Sequence, residues 1–148
     1  MGPFLLDVNL LLGLFWPSHI FHIAALEWFV EFEHSGWATC PMTESGFLRV
    51  LSNPVFTAGG PPFQEAFELL TECKRGNANH RFWQHGTEVE NLPRSLISRI
   101  THRDQLTDAY LIALALEKGG RLVTFDRRMI RLAPEGTPER EALVILRS

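Results

Sequence analysis

Cysteine is scarce in this chain, with only Cys40 and Cys73 among 148 residues. They form no CxxC pair and no disulfide framework, which excludes a small scaffold stapled by disulfides. Long apolar runs are missing as well. None reaches the about 20 residues that a membrane-spanning helix needs, because Pro17, Ser18 and His19 interrupt the first hydrophobic stretch. The N-terminus has no basic segment, and Asp7 breaks its apolar run, so no signal peptide is expected. Positive charge is not in excess. The 14 Lys and Arg face 17 Asp and Glu, and a net charge of −3 argues against a protein that holds nucleic acid by bulk charge. Nucleic-acid chemistry stays open, because carboxylates filled by a metal count in the formal charge without repelling phosphate. What the chain has in quantity is apolar residues. With 45% hydrophobic and 11% aromatic it can build a full core, and the length suits one domain over 1–148. A soluble, cytoplasmic domain is the expectation.

Hydrophobic periodicity predicts strands alternating with helices. Mostly apolar runs at 4–8, 37–40, 121–125 and 142–146 read as short strands, with a poorly marked one at 80–83 making five. Helices are expected over 10–15 with Asn9 as the cap, 19–33, 44–51 with Thr43 as the cap, 63–74, 94–100 and 106–118, with a short one over 126–132. The helix over 106–118 is apolar almost all round and is therefore expected to be buried. The 19–33 helix has a broad apolar face, and Phe15, Trp16, Phe21 and Trp28 exceed what one core needs, making them candidates for a partner surface. This alternation implies right-handed crossover units and a three-layer α/β domain with a mainly parallel sheet of about five strands.

Two of the strands end on an acid, Leu5-Leu6-Asp7 and Thr124-Phe125-Asp126. In an open parallel sheet ligands sit beyond the C-terminal strand ends, where strand order reverses. If the first and fourth strands are neighbours there, Asp7 and Asp126 face one crevice. Glu44, after the second strand, and Asp108, in the first turn of the buried helix, also fall on that side. Four carboxylates cannot converge without a cation or a proton. An oxygen-only set suits Mg²⁺ or Mn²⁺ better than Zn²⁺, and such an ion supports phosphodiester hydrolysis. Asp108 is the hardest of the four to read as a mere surface charge, since an acid on a buried helix needs a polar partner.

These residues also carry a resemblance. Leu6-Asp7-Val8-Asn9-Leu10-Leu11, the run from Thr43 to Pro54, Leu106-Thr107-Asp108-Ala109-Tyr110-Leu111 and Leu122-Val123-Thr124-Phe125-Asp126 resemble, in order and spacing, the motifs of PIN-domain proteins. They are most similar to the VapC toxins of bacterial toxin–antitoxin pairs. The resemblance implies a three-layer α/β/α PIN-like fold and a ribonuclease dependent on Mg²⁺ or Mn²⁺. It also implies an RNA substrate, a VapB-type antitoxin and a homodimer, with no membrane association. By position, Asp7, Glu44, Asp108 and Asp126 match the family's acidic quartet, Asn9 its supporting polar residue and Thr124 its hydroxyl residue. Asp104, one helical turn before Asp108, is a further supporting candidate. Arg49, Arg127 and Arg128 are candidates for contacting RNA phosphates. The alternative is a catalytically silent PIN-like module that binds RNA or protein.

Other chemistries fit less well. His19 and His22 lack a third ligand for zinc, Gly59-Gly60 is not followed by the Lys-Ser or Lys-Thr of a phosphate loop, and Ser45 lacks a nucleophile elbow. A haloacid-dehalogenase-like phosphatase would need an acid where Asn9 stands. A receiver domain would need a late lysine, and none follows Lys118.

Overall fold

The computed structural model describes residues 2–84 and 86–147; Met1, His85 and Ser148 lie outside the described residues. Five strands form one sheet: β1 (Phe4–Leu6), β2 (Trp37–Thr39), β3 (His80–Phe82), β4 (Arg121–Thr124) and β5 (Leu143–Ile145). Their order is β3-β2-β1-β4-β5, and every pairing is parallel. The helices are α1 (Val8–Phe15), α2 (His22–Phe32), α3 (Pro41–Leu51), α4 (Phe63–Arg75), α5 (Arg94–Arg99), α6 (Gln105–Glu117) and α7 (Pro138–Glu141).

Successive strand residues point to opposite faces, so β1 feeds two cores at once. Leu5 packs with Ala38, Leu122, Leu96, Leu111 and Ile112, under α5 and α6. Phe4 and Leu6 pack with Trp37, Val123, Leu10, Leu11 and Phe47, under α1 and α3. Both faces of the central strands β1, β2 and β4 are covered, which is why these read as nearly unbroken apolar runs, while the edge strand β3 is partly exposed. The layers are therefore helix, sheet, helix, as the periodicity predicts.

Local chemistry differs from the sequence reading at three helix starts. α2 begins at His22, three residues later than expected. α1 is capped by Asp7, whose Oδ1 accepts from the Val8 N–H at 2.8 Å, while Asn9 sits inside the helix. α3 begins at Pro41, three residues earlier than expected. Proline at a first helical position loses no intrahelical bond. Thr43 closes a capping box from inside the helix, accepting from the Cys40 N–H at 3.0 Å. α3 crosses close to α1 at Gly46, where a Cβ would come within 2.6 Å of Val8 Cγ2. α6 ends at Gly119, whose φ of +66° favours glycine.

The apolar excess of the N-terminal helices is distributed otherwise than expected. Trp28 is buried edge-on against Phe4 at 5.2 Å, Phe15 lies against Trp37, and Phe21 stacks on Phe125 at 4.4 Å. The exposed large apolar side chains around α2 are instead Ile20, Ile23, Leu26 and Val30. Among the described residues no helix is long and apolar enough to cross a membrane.

Candidate active site

β1 and β4 are neighbours, with Leu6 opposite Val123, so the order of the sheet reverses between them. A crevice forms at such a reversal because the crossovers on either side leave in opposite directions. Asp7 follows β1 and Asp126 follows β4, which brings both acids to that crevice. The Asp7 N–H still donates to the Val123 carbonyl at 3.0 Å, so the sheet ladder itself locks the start of the site.

A compact hydrogen-bond network then fixes the Asp7 carboxylate. The fully buried Thr124 hydroxyl donates to Asp7 Oδ2 at 2.7 Å. Thr124 Oγ1 in turn accepts from the Asp126 N–H at 3.0 Å and from Asn9 Nδ2 at 3.2 Å. Asn9 Oδ1 in turn accepts from the Phe125 N–H at 3.2 Å, which orients the amide. Thr124 and Asn9, matched to supporting positions by resemblance, thus tie the end of β4 to α1. Burial drives the Asp7 carboxyl above its usual range; the Thr124 and Val8 bonds oppose the rise and the Asp126 charge adds to it.

Asp108 lies in the first turn of α6, half-buried, and has no hydrogen-bond partner among the described residues. Burial first, then the charges of Asp7 and Asp126, push its carboxyl up to about 7, with the Arg128 charge opposing. Asp126 is the contrary case. Its burial acts to raise the pKa, but hydrogen bonds and charge from Arg128 prevail and hold it below the usual value. Arg128 grips it in a fork, Nε to Oδ1 and Nη2 to Oδ2, both at 3.0 Å.

Glu44 makes its contacts in another direction. Its Oε2 accepts from Thr39 Oγ1 at 2.6 Å and pairs with Lys74 Nζ at 2.7 Å. His80 Nε2 stands 2.8 Å from the same Thr39 hydroxyl. That hydroxyl proton serves Glu44, so His80 is the donor to Thr39. Burial and then the Lys74 charge lower the His80 pKa to about 4, which keeps the ring neutral. Thr39, Lys74 and His80 carried no recognisable signal in the sequence, because a lysine ending an amphipathic helix reads as a solvated charge.

A cavity of about 360 Å³ opens beside Asp108 and Asp126, walled in part by Asp104, Gln105, Arg128 and Arg131. Asp104 and Asp108, four residues apart, both line it. Arg49 is exposed on α3, and Arg127 lies exposed in a separate hollow with Arg140 and Arg147. Among the described residues no three His, Cys, Asp or Glu side chains are drawn together closely enough to hold one metal ion. Asp126 is tied to Arg128, and Glu44 to Lys74. The chemistry of the donors nevertheless fits a hard divalent cation. Asp126 raises the proton affinity of both Asp7 and Asp108, Asp7 raises that of Asp108, and Asp108 has no hydrogen bond or ion pair among the described residues to neutralise it.

The comparisons agree with this architecture. A family model described as PIN domain matches residues 4–134. The chain is 40% identical over 138 residues to Ribonuclease VapC39 of Mycobacterium tuberculosis, covering 91% of this chain and 96% of that protein. It is 41% identical over 131 residues to Ribonuclease VapC38 (88% and 90%), and 38% identical over 136 residues to Ribonuclease VapC44 (89% and 92%), both of the same species. With a sheet, a crevice and a sequence all of one kind, the chain belongs to the PIN-domain family, among the VapC proteins.

Proposed function

We propose that this chain is a divalent-metal-dependent endoribonuclease, acting as the toxin of a toxin–antitoxin pair and hydrolysing RNA phosphodiester bonds. The observation that carries the reading is Asp108: an acid with no hydrogen bond or ion pair among the described residues, facing the charges of two further aspartates at the switch point of the sheet. The relatives' name of ribonuclease supports the same chemistry.

Asp7, Asp108 and Asp126 are the residues we assign to hold Mg²⁺ or Mn²⁺, with Glu44 as the fourth acid once Lys74 yields it. A divalent cation bound there supplies activation of water and neutralisation of charge on the phosphoryl group. The chain's own residues prepare the site. Thr124 and Asn9 hold Asp7 in one rotamer, and the dry surroundings of Thr124 exclude competing water from that carboxylate. Arg128 is able to exchange the Asp126 carboxylate for an RNA phosphate, because its guanidinium is solvent-facing and its fork suits either anion. Arg49 and Arg127 are further candidates for backbone phosphates. In-line attack by water leaves a 5′-phosphate and a 3′-hydroxyl.

The partners follow from the same reading: a VapB-type antitoxin that covers the crevice, and a second copy of this chain in a homodimer. The single domain spans 1–148 and works in the cytoplasm.

Purified, antitoxin-free protein incubated with total RNA in Mg²⁺, Mn²⁺ or EDTA, beside Asp7→Asn, tests the reading. Cutting that requires metal and disappears in the variant is the expected result. A folded protein that neither binds Mn²⁺ nor cuts would return the chain to the silent alternative. Ends carrying a 2′,3′-cyclic phosphate would remove water as the nucleophile.

A further inference from the structure

The cavity beside Asp108 and Asp126 extends past the acids toward the start of α6, along groups that the hydrolytic chemistry does not use. Gln105 is one of them. Its Oε1 accepts from the Thr101 N–H at 2.8 Å and the His102 N–H at 3.0 Å, and lies 3.4 Å from Thr101 Oγ1. Two backbone donors therefore fix which end of the amide is oxygen. The other end, an NH₂ with two protons to give, has no partner among the described residues, and the residue lines the cavity. Arg131 lines it too, exposed and without a hydrogen bond or ion pair among the described residues. Asp104 adds a carboxylate that is 80% exposed, leaves the helix start uncapped, and stands 3.3 Å from His102 Nδ1.

We infer that this cavity is the subsite for one guanine base of the RNA, beside the scissile phosphate, with Asp104, Gln105 and Arg131 reading its edges. The inference rests on the nuclease reading and deepens it. A volume of about 360 Å³ lies within the range of small-ligand sites. A second phosphate is disfavoured there, because the exposed Asp104 carboxylate, which the assigned cation does not neutralise, stands in the wall. A neutral ring with polar edges meets no such penalty. Among the bases, guanine alone sets two donors side by side, N1–H and N2–H₂, which a carboxylate accepts together. It also sets two acceptors side by side, O6 and N7, which a guanidinium or an amide nitrogen reaches. The cavity offers one carboxylate outside the assigned metal set and two groups that only donate. Recognition of an unpaired base in this way requires single-stranded RNA, whose bases are free to turn out of a stack.

Two conservative variants separate reading from folding. Gln105→Glu keeps an oxygen for the Thr101 and His102 N–H groups but replaces the donor by an acceptor. Asp104→Asn changes an exposed side chain that makes no cap bond. A randomised single-stranded RNA library is cut in Mn²⁺ and the ends are sequenced. Wild-type cuts are expected to be enriched in guanine at one fixed position beside the break, and each variant to lower that enrichment by about tenfold. A second measurement needs no cleavage: GMP and AMP are titrated against the protein while the Gln105 side-chain amide is followed by NMR. GMP is expected to shift that signal and AMP to do so much less. If the chain cuts without guanine preference, or with a preference that both variants retain, the subsite is overturned while the nuclease stands. If it cuts nothing but GMP still shifts Gln105, the nuclease reading fails and the cavity remains a guanine site. If neither cutting nor a GMP shift occurs, both fail.

Discussion

Replacing Asp108 by asparagine should make the metal-free protein more stable at high pH and leave it nearly unchanged at low pH. The side chain keeps its shape and loses its charge. In the folded chain burial, Asp7 and Asp126 push the Asp108 carboxyl from 3.8 up to about 7. A group raised on folding contributes stability that is complete below its unfolded pKa and is lost as pH rises through the folded one. Asp108 is therefore still protonated in the folded chain at pH 5, where the unfolded chain has already begun to draw stability away by ionising, and is a charge without an ion pair at pH 9. The two pH units between about 5 and about 7 correspond to roughly 2.7 kcal/mol at about 1.4 kcal/mol each. Asp108 is only part-buried, and solvent screening reduces this to about 1.5 kcal/mol. The prediction concerns the difference between variant and wild type in EDTA, so the titrations of His80 and Glu139 cancel. In thermal unfolding the variant should gain about 3 to 6 °C over wild type on going from pH 5 to pH 9. At saturating Mn²⁺ the order should reverse, because wild type gains binding energy that the variant has lost. A variant whose advantage is the same at both pH values would refute the reasoning, since a packing change has no pH dependence.

Thr124→Val should cost about 2 kcal/mol, the loss of a hydroxyl hydrogen-bonded to a buried carboxylate, and Thr124→Ser should restore most of it in urea unfolding; equal stability of the two variants would remove the network from the account. Arg128→Gln should raise Mn²⁺ affinity measured by calorimetry, because the Asp126 carboxylate no longer shares its oxygens with a guanidinium, and should weaken RNA binding in a salt-dependent way. Unchanged affinity for both would show that the fork has no part in either. His80 is half-buried and neutral, with its pKa lowered from 6.5 to about 4, so it removes stability as pH falls through that interval. His80→Gln, still able to donate to Thr39, should flatten that acid limb; an unaltered pH profile would count against the assigned tautomer and burial.

The elements of the fold were legible because their signals are local. A short, mostly apolar run between turn formers is what a strand covered on both faces requires, and β1, β2 and β4 show it, whereas the half-exposed β3, His80–Phe82, carries only a weak signal. The misplaced starts of α1 and α3 have a common cause. Asn9 and Thr43 are good cap residues by composition, but whether such a side chain caps depends on its backbone being extended. That is true of Asp7, at φ −67° and ψ 162°, and of Cys40, whereas Asn9 and Thr43 lie within the helices. The exposed surface of α2 differs from the periodicity reading for another reason. Trp28 and Phe21 were the conspicuous residues, yet large aromatics are the ones a core absorbs most readily, which leaves the smaller Ile20, Ile23, Leu26 and Val30 outside.

The amino-acid sequence by itself determined the layer order, the parallel sheet and the acids that end β1 and β4, since each follows from periodicity and from where an apolar run stops. Only the tertiary structure decided which charges meet. Asp7 and Thr124 are 117 residues apart in the chain and 2.7 Å apart in space. Arg128 closes on Asp126, Lys74 closes on Glu44, and Asp108 is left with two like charges and no counter-ion of its own. Coulomb energies and hydrogen bonds depend on distance and burial, and neither is a property of position along a chain.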